Sequence, residues 1–335
     1  MQVRDASRDE RARVLRATHG PWGGGLGLDD HLALNLAVME SPWGREHGRF
    51  LVGCDHAGDL AAALRLWWHP GGLDGRPVRI ARLDGLFTFP EVRGRGHAAQ
   101  IVTGALARAR AEGCHLALLM AEGGAGLWAG LGFRSLPASE TACRTVLPAP
   151  WPREPPWAAA GDDPEARVPG LRPALPGDLD GIADIHREET AGQRLRLERG
   201  GGAWEQVLLE RDLRRRFRGE DGPFWVIERQ GRIAAYVLLE AAPPTLRWRE
   251  HGARRGAEDG LADLFWSTLV WARRRRLQRI EGWRMPGALT LGPLYPASER
   301  RRKDRVPMLL PLHPGIAPPP FAREEDCRIF ELDVS

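Results

Sequence analysis

Ile80 to Ala98, I-A-R-L-D-G-L-F-T-F-P-E-V-R-G-R-G-H-A, is the stretch whose reading decides the fold. Residues Leu83 to Phe89 suit a pleated, half-buried strand. Pro90 has no N–H to give to a ladder, so the strand is expected to stop there. Gly94 and Gly96 then allow close backbone approach, and a helix is expected over Ala98 to Ala111. A glycine loop opening a helix presents unpaired N–H groups at the positive end of a dipole, which suits phosphate. There is no G-x-x-x-x-G-K-[ST] and no G-x-G-x-x-G, so the P-loop and the dinucleotide fingerprint are excluded.

The segment P-E-V-R-G-R-G-H-A after a strand resembles motif A of the GNAT acyl-CoA N-acyltransferases. That family's R/Q-x-x-G-x-G/A pattern is met by Arg93, Gly96 and Ala98. The resemblance implies a loop whose backbone N–H groups hold the coenzyme A pyrophosphate, and a preceding strand that splays from its neighbour to pair with the pantetheine arm. The cofactor-binding residues it implies are Phe87, Thr88, Phe89, Arg93, Gly94, Arg95, Gly96, His97 and Ala98. Further on, E-G-G-A-G-L-W-A-G-L-G-F is similar to the family's motif B, with Gly132 and Phe133 in place. Trp128 stands where the family often has a tyrosine acid, and it joins the cofactor-binding set.

At 335 residues two domains are expected. No apolar run approaches the ~20 residues of a membrane span, and the N-terminus lacks an apolar signal core. Cys54, Cys114, Cys143 and Cys327 form no C-x-x-C pair, so neither a disulfide framework nor a metal site is indicated. A cytoplasmic protein is expected. The net charge of +4 is carried almost wholly by arginine, with Lys303 the sole lysine. Acidic residues are interspersed throughout, which argues against a nucleic-acid partner.

Val3 to Ala6 reads as a strand, followed by a capping box of Ser7 and Glu10 and a helix to about Thr18. The glycine-rich H-G-P-W-G-G-G-L-G reads as a loop, either a plain connection or, as the resemblance implies, a wall on the substrate side. His31 to Met39 reads as a helix, and Phe50 to Gly53 and Leu60 to Trp68 as strands. On the helix from Ala98, Ile101, Val102, Ala105, Leu106 and Ala109 share one face. Residues 147–170 are proline-rich and read as a linker.

The second half repeats the first in outline: Leu171 to Ala174, Phe224 to Ile227, Ile233 to Ala235, then helix, turn and strand. The expected fold class is therefore α/β, two GNAT-like units each with a mixed, mostly antiparallel sheet flanked by helices. The expected units are 1–146 and 171–335. The second loop lacks R-x-x-G-x-G/A, and Glu258, Asp259 and Asp263 would repel phosphate at its helix start, so this unit is expected to be degenerate for coenzyme A. The tail from Pro286 to Pro320 reads as an extension or loop.

Transfer from a thioester to an amine requires the donor to be held close, the amine to lose a proton and the leaving thiolate to be stabilised. Asp84, on the strand before the loop, is the first candidate base and Glu122 the second. The expected activity is acetyl-CoA-dependent N-acetylation of a primary amine on a small molecule or amino acid, by direct transfer in a ternary complex. A coenzyme-binding regulatory protein and a protein N-acetyltransferase are the alternatives. The expected partner is a small amine, with no nucleic acid and no membrane, and the chain is expected to be a monomer or homodimer.

Overall fold

The computed structural model describes residues 1–122, 124–145, 154–219, 222–283, 285, 297–302, 305–316 and 327–328. The first half runs β1 (Gln2–Asp5), α1 (Arg8–Trp22), α2 (Leu28–Glu40), α3 (Pro42–His47), β2 (Gly48–Cys54) and β3 (Leu60–Leu73). It continues with β4 (Arg76–Thr88), α4 (His97–Ala111), β5 (Leu116–Ala121), α5 (Gly126–Gly130), β6 (Arg134–Ser135) and β7 (Ser139–Arg144). Short helices α6 (Pro156–Ala160) and α7 (Pro164–Arg167) lead to β8 (Leu171–Pro173), α8 (Leu179–Thr190), β9 (Leu195–Leu197) and α9 (Gly201–Arg218). Then come β10 (Phe224–Arg229), β11 (Arg232–Ala242), β12 (Thr245–Ala253), α10 (Asp259–Arg274) and β13 (Arg279–Gly282). The remaining strands are β14 (Ala297–Arg301), β15 (Val306–Pro311) and β16 (Cys327–Arg328).

These strands form two mixed sheets flanked by helices. The first has the order β1-β2-β3-β4-β5-β15-β6 and the second β14-β7-β13-β12-β11-β10-β8. Along each of these orders one neighbouring pair is parallel, β4 with β5 and β12 with β13, and every other pair is antiparallel. The repeat seen in the sequence is thus a repeat of sheet topology.

The two sheets exchange a strand. β15, from the tail, lies between β5 and β6, in register from Val306 opposite Ala121 to Pro311 opposite Leu116. β7, from the first half, lies between β13 and β14, with Cys143 opposite Ile280. Met308 and Leu309 are buried, and so is Cys143, so each strand completes the other unit's core. The tail is therefore not a peripheral extension. Its stretch V-P-M-L-L-P carries the apolar residues that a central strand buries, flanked by prolines that hid the pattern.

Several elements differ from the sequence expectation in extent. β4 begins at Arg76, not Leu83, because Asp74 and Gly75 both take positive φ and turn β3 directly into β4. Gly71 and Gly72 continue β3 past Trp68, and a Cβ at Gly71 would stand 2.6 Å from Arg196 O on β9, which pairs there. α1 has the Ser7–Glu10 capping box but runs on through Pro21 to Trp22, so the glycine loop shrinks to 23–27. Within the expected linker, Pro156 and Pro164 occupy first helical positions and start α6 and α7, while residues 146–153 lie outside the described set.

α4 starts at His97 and buries Ile101, Val102, Ala105, Leu106 and Ala109 against the first sheet. Loss of one such aliphatic side chain, as in Ile101→Ala, costs ~2–5 kcal/mol. This packing fixes the loop that precedes the helix. All four cysteines are buried. Among the described residues no helix is long and apolar enough to cross a membrane, and no cluster of residues could hold a metal ion.

Candidate active site

β4 and β5 pair from Ile80–Leu116 to Leu83–Leu119, and the ladder stops there. The cause lies on the other side of β4, where Gly85 and Leu86 together oppose the single residue Leu64. Gly85 takes φ +61°, and the bulge bends the strand away from β5. Among the described residues no strand pairs with β4 from Leu86 to Thr88 on the edge that faced β5. β5 instead continues its ladder with β15 on its other side.

After Phe89 a single 3-10 turn, Pro90–Val92, leads to Gly94 at φ +77° and Gly96 at φ +78°. Gly96 is the N-cap of α4, with no side-chain cap and no acidic residue in the first turn. The first N–H groups of α4 therefore lack a side-chain partner at the positive end of a fifteen-residue helix. A Cβ at Gly94 or Gly96 would meet nothing within 4 Å. Glycine is required there by the backbone angle, and the space beside it is open.

A cleft of about 570 Å³ lies over this loop, lined by Phe87, Thr88, Arg93, Gly94, Gly96, His97 and Ala98. Arg93 Nε donates to Thr88 O at 3.1 Å, which ties the loop back to its strand. His97 Nδ1 is enclosed, with no hydrogen-bond partner among the described residues. Phe89 and Arg95 do not line the cleft. Phe89 turns into the core beneath α1, with Arg13 over its ring at 5.8 Å, while Arg95 is exposed.

Trp22, Leu86 and Leu127 line this cleft and also a second cavity of about 560 Å³. The two spaces thus adjoin, with these three side chains as their common wall. Trp22 meets Phe87 edge-on at 5.9 Å, so the end of α1 walls the passage. Trp128 lines the second cavity, nearly buried and edge-on to Phe133 at 5.7 Å. Val14, Leu15, Val38 and Phe50 give the cavity an apolar wall.

Asp84 and Glu122 both line that cavity, but their surroundings differ. Asp84 Oδ1 accepts from Arg65 Nε at 2.5 Å, and Oδ2 accepts from Trp67 Nε1 at 2.9 Å and faces Arg82 at 3.1 Å. Both oxygens are engaged. Glu122 is largely exposed and faces Arg305 Nε at 3.0 Å. Arg65 also donates to Asn35 Oδ1 at 3.2 Å, so the clamp on Asp84 reaches α2.

The cations around this cavity come from the whole chain. Arg65 and Arg82 stand on β3 and β4, Arg214 and Arg218 on α9, and Arg305 just before β15. Arg65 and Arg82 could have been suspected from single charges inside the apolar strands L-A-A-A-L-R-L-W-W and I-A-R-L-D. The other three approach only through the exchange of strands and the packing of α9, which no local pattern reveals.

In the second unit the matching helix start is occupied from within. Asp259 accepts from Gly260 N at 3.0 Å and from Arg229, whose hydrogen bonds hold its carboxyl below the usual range. Glu258 accepts from Gly256 N at 3.0 Å. Asp263 lies one turn further on, where burial pushes its carboxyl up. Tyr236 is fully buried in this unit, donates to Glu250 at 2.8 Å and lines neither cavity of the first site; Tyr295 lies outside the described residues.

Residues 20–133 match the family model described as the acetyltransferase (GNAT) family. A GCN5-related N-acetyltransferase from Kribbella flavida is similar at 18% identity and a TM-score of 0.61, covering 93% of this chain and 72% of that one. One from Anabaena variabilis gives 16% identity and a TM-score of 0.66, with 93% and 73% covered. The N-myristoyltransferase of Saccharomyces cerevisiae, solved with bound myristoyl-CoA, gives 12% identity and a TM-score of 0.52, with 84% and 72% covered. No curated protein sequence matches the chain significantly.

Proposed function

We propose that the chain is an acetyl-CoA-dependent N-acetyltransferase whose donor lies along the open edge of β4 and whose amine acceptor enters the adjoining cavity. The observation that carries this reading is that the two spaces adjoin, sharing Trp22, Leu86 and Leu127. The residues present fit coenzyme A: the α4 N-terminus is uncapped, the space beside Gly94 and Gly96 is open, and Arg93 stands beside it. The bound thioester supplies an activated acyl carbon and a sulfur leaving group.

The chain's own residues hold and orient. The N–H groups at Gly96, His97 and Ala98 receive phosphate, and the free edge from Leu86 to Thr88 aligns the arm so that the acyl carbon reaches the cavity. As the amine attacks, the new C–N bond forms, the C–S bond breaks, and one proton leaves the nitrogen. With both oxygens of Asp84 engaged, Glu122, at the rim and in contact with water, takes that proton through solvent, while Asp84 positions Arg65 and Arg82. This reverses the order of the two carboxylates expected from sequence. The thiolate is protonated by solvent, since Trp128 can only donate its indole N–H in a hydrogen bond.

A coenzyme-binding regulatory role is the second reading, favoured by Trp128 in the place of a tyrosine. Thiol release from acetyl-CoA across an amine panel separates the two. Release above the hydrolysis background supports transfer, and tight binding with no release supports regulation.

A further inference from the structure

We infer that the acceptor is a monoamine on a bulky, uncharged, apolar body, of which an arylalkylamine is the type, and that this body lies against the α1–α2 wall of the second cavity. The inference rests on the acyl-transfer reading above and names the substrate class for the same site.

The wall is built at helical spacing. α1 gives the cavity Val14, Leu15, Thr18 and Trp22, and α2 gives it His31, Leu34, Asn35 and Val38. No carboxylate or guanidinium stands among them. Burial, above all, holds the His31 imidazole below its ordinary value, so it too is neutral at pH 7. The uncharged polar groups of the wall are engaged within the protein. Thr18 Oγ1 donates to Leu15 O at 3.2 Å, Asn35 Nδ2 donates to His31 O at 2.8 Å, and Asn35 Oδ1 accepts from Arg65. A sugar ring laid here would lose water from its hydroxyls and find the wall's polar groups already satisfied.

Three apolar side chains reach this cavity without belonging to a core. Trp22 and Leu127 are each 40% exposed, and Leu34 is half-buried. Leu34 and Leu127 lie outside every hydrophobic cluster of the described residues, and Trp22 meets Phe87 edge-on. They come from three helices, α1, α2 and α5, and converge on one cavity. Apolar surface gathered in a concavity and left outside the core is what the apolar surface of a ligand covers. Trp22 and Leu127 also line the coenzyme cleft, so they mark the acyl end of the site. Leu34 lines the cavity and not the cleft, so the apolar surface extends from that end into the acceptor space.

The charges on the rest of the cavity are matched to one another. Asp84 holds Arg65 and Arg82, Glu122 faces Arg305, and Arg214 lies between Glu240 at 3.2 Å and Glu210 at 3.7 Å. A second ammonium or an acidic group on the acceptor would have to break such a pair in a partly enclosed site. One amine, brought to the rim by Glu122, leaves the pairs intact. The volume fits as well: about 560 Å³ lies within the ~300–1,000 Å³ of sites that enclose drug-sized molecules, and exceeds what ethylamine fills.

The test is calorimetry on the full chain saturated with coenzyme A, titrated with ethylamine, 2-phenylethylamine, glucosamine and putrescine. 2-Phenylethylamine is expected to bind at least tenfold more tightly than each of the others. Leu34→Trp, which fills the wall, is expected to remove at least tenfold of that affinity, with coenzyme A binding and the melting temperature as signs of an intact fold. Leu34→Gln keeps the size and replaces apolar surface with an amide; it is a second variant, expected to narrow the preference at least threefold. Equal affinities for ethylamine and 2-phenylethylamine, tighter binding of glucosamine or putrescine, no binding by any of the amines, or wild-type affinity in both variants overturns the inference. Coenzyme A binding, and thiol release from acetyl-CoA with ethylamine, report separately on the acyl-transfer reading.

Discussion

Arg305, thirty residues from the end of the chain, faces Glu122, the residue that follows β5, at 3.0 Å. The contact exists because β15 is inserted beside β5 in the first sheet. A rim pair this exposed contributes ~0–1 kcal/mol to stability. Its weight is expected in turnover instead. Arg305→Ala should leave the melting temperature within a few degrees of wild type and alter the pH profile of kcat, because it changes the charge beside the proposed proton acceptor. An unchanged profile would remove Glu122 from that role.

The exchange of strands predicts a reciprocal stability effect. Met308 sits in β15 but belongs to the first core, and Cys143 sits in β7 but belongs to the second. Met308→Asp buries a charge without a partner and should cost at least ~3 kcal/mol, as seen by denaturant unfolding. Hydrogen exchange should then rise on β4 and β5 before β12 and β13. For Cys143→Asp the order should reverse. Loss confined to the half in which each residue lies in sequence would contradict the exchange.

Asp84→Asn tests the clamp. The substitution leaves Arg65 and Arg82 facing a neutral amide in a largely buried setting, so stability should fall by ~1–3 kcal/mol. Turnover should fall at all pH values, because the residue positions two arginines rather than taking the amine's proton. A loss confined to low pH would restore Asp84 as the base.

The N-terminal capping box gives a pH prediction with a definite sign. Hydrogen bonds from Arg4, then from Ser7 N, hold the Glu10 carboxyl down at about 2 against 4.5 for a free side chain. A depressed carboxyl contributes stability that is complete above about 4.5 and is lost as the pH falls toward about 2. Glu10→Gln should therefore lower stability at neutral pH and flatten its loss over that window, measured by thermal unfolding between pH 7 and 2. An identical acid limb would contradict the assignment.

The parts legible in the sequence were those whose signal is local. The loop at Arg93–Ala98 declares itself by glycines that need positive φ, the start of α1 by a serine and a glutamate three apart, and the buried face of α4 by its spacing. The second unit's self-occupied helix start was legible too, since Glu258 and Asp259 are adjacent to it in sequence. The bulge at Gly85 was only half visible, because a lone glycine does not say how far a strand bends. The places of β7 and β15 were not legible: an apolar strand pattern carries no address for the sheet it joins. Arg214, Arg218 and Arg305 were hidden for the same reason, each being an ordinary charged residue until the tertiary fold brings it to the cavity.

Titration of the chain with coenzyme A, beside Gly96→Glu, tests the central claim most directly. Gly96 sits at φ +78° with open space beside it, so the longer side chain should add ~1–2 kcal/mol of strain, keep the fold, and fill the phosphate position with a negative charge. Wild type is expected to bind one coenzyme A per chain, and Gly96→Glu none, with circular dichroism unchanged. Two sites per chain would contradict the reading of the second unit. No binding by wild type, or equal binding by both proteins, would contradict the account as a whole.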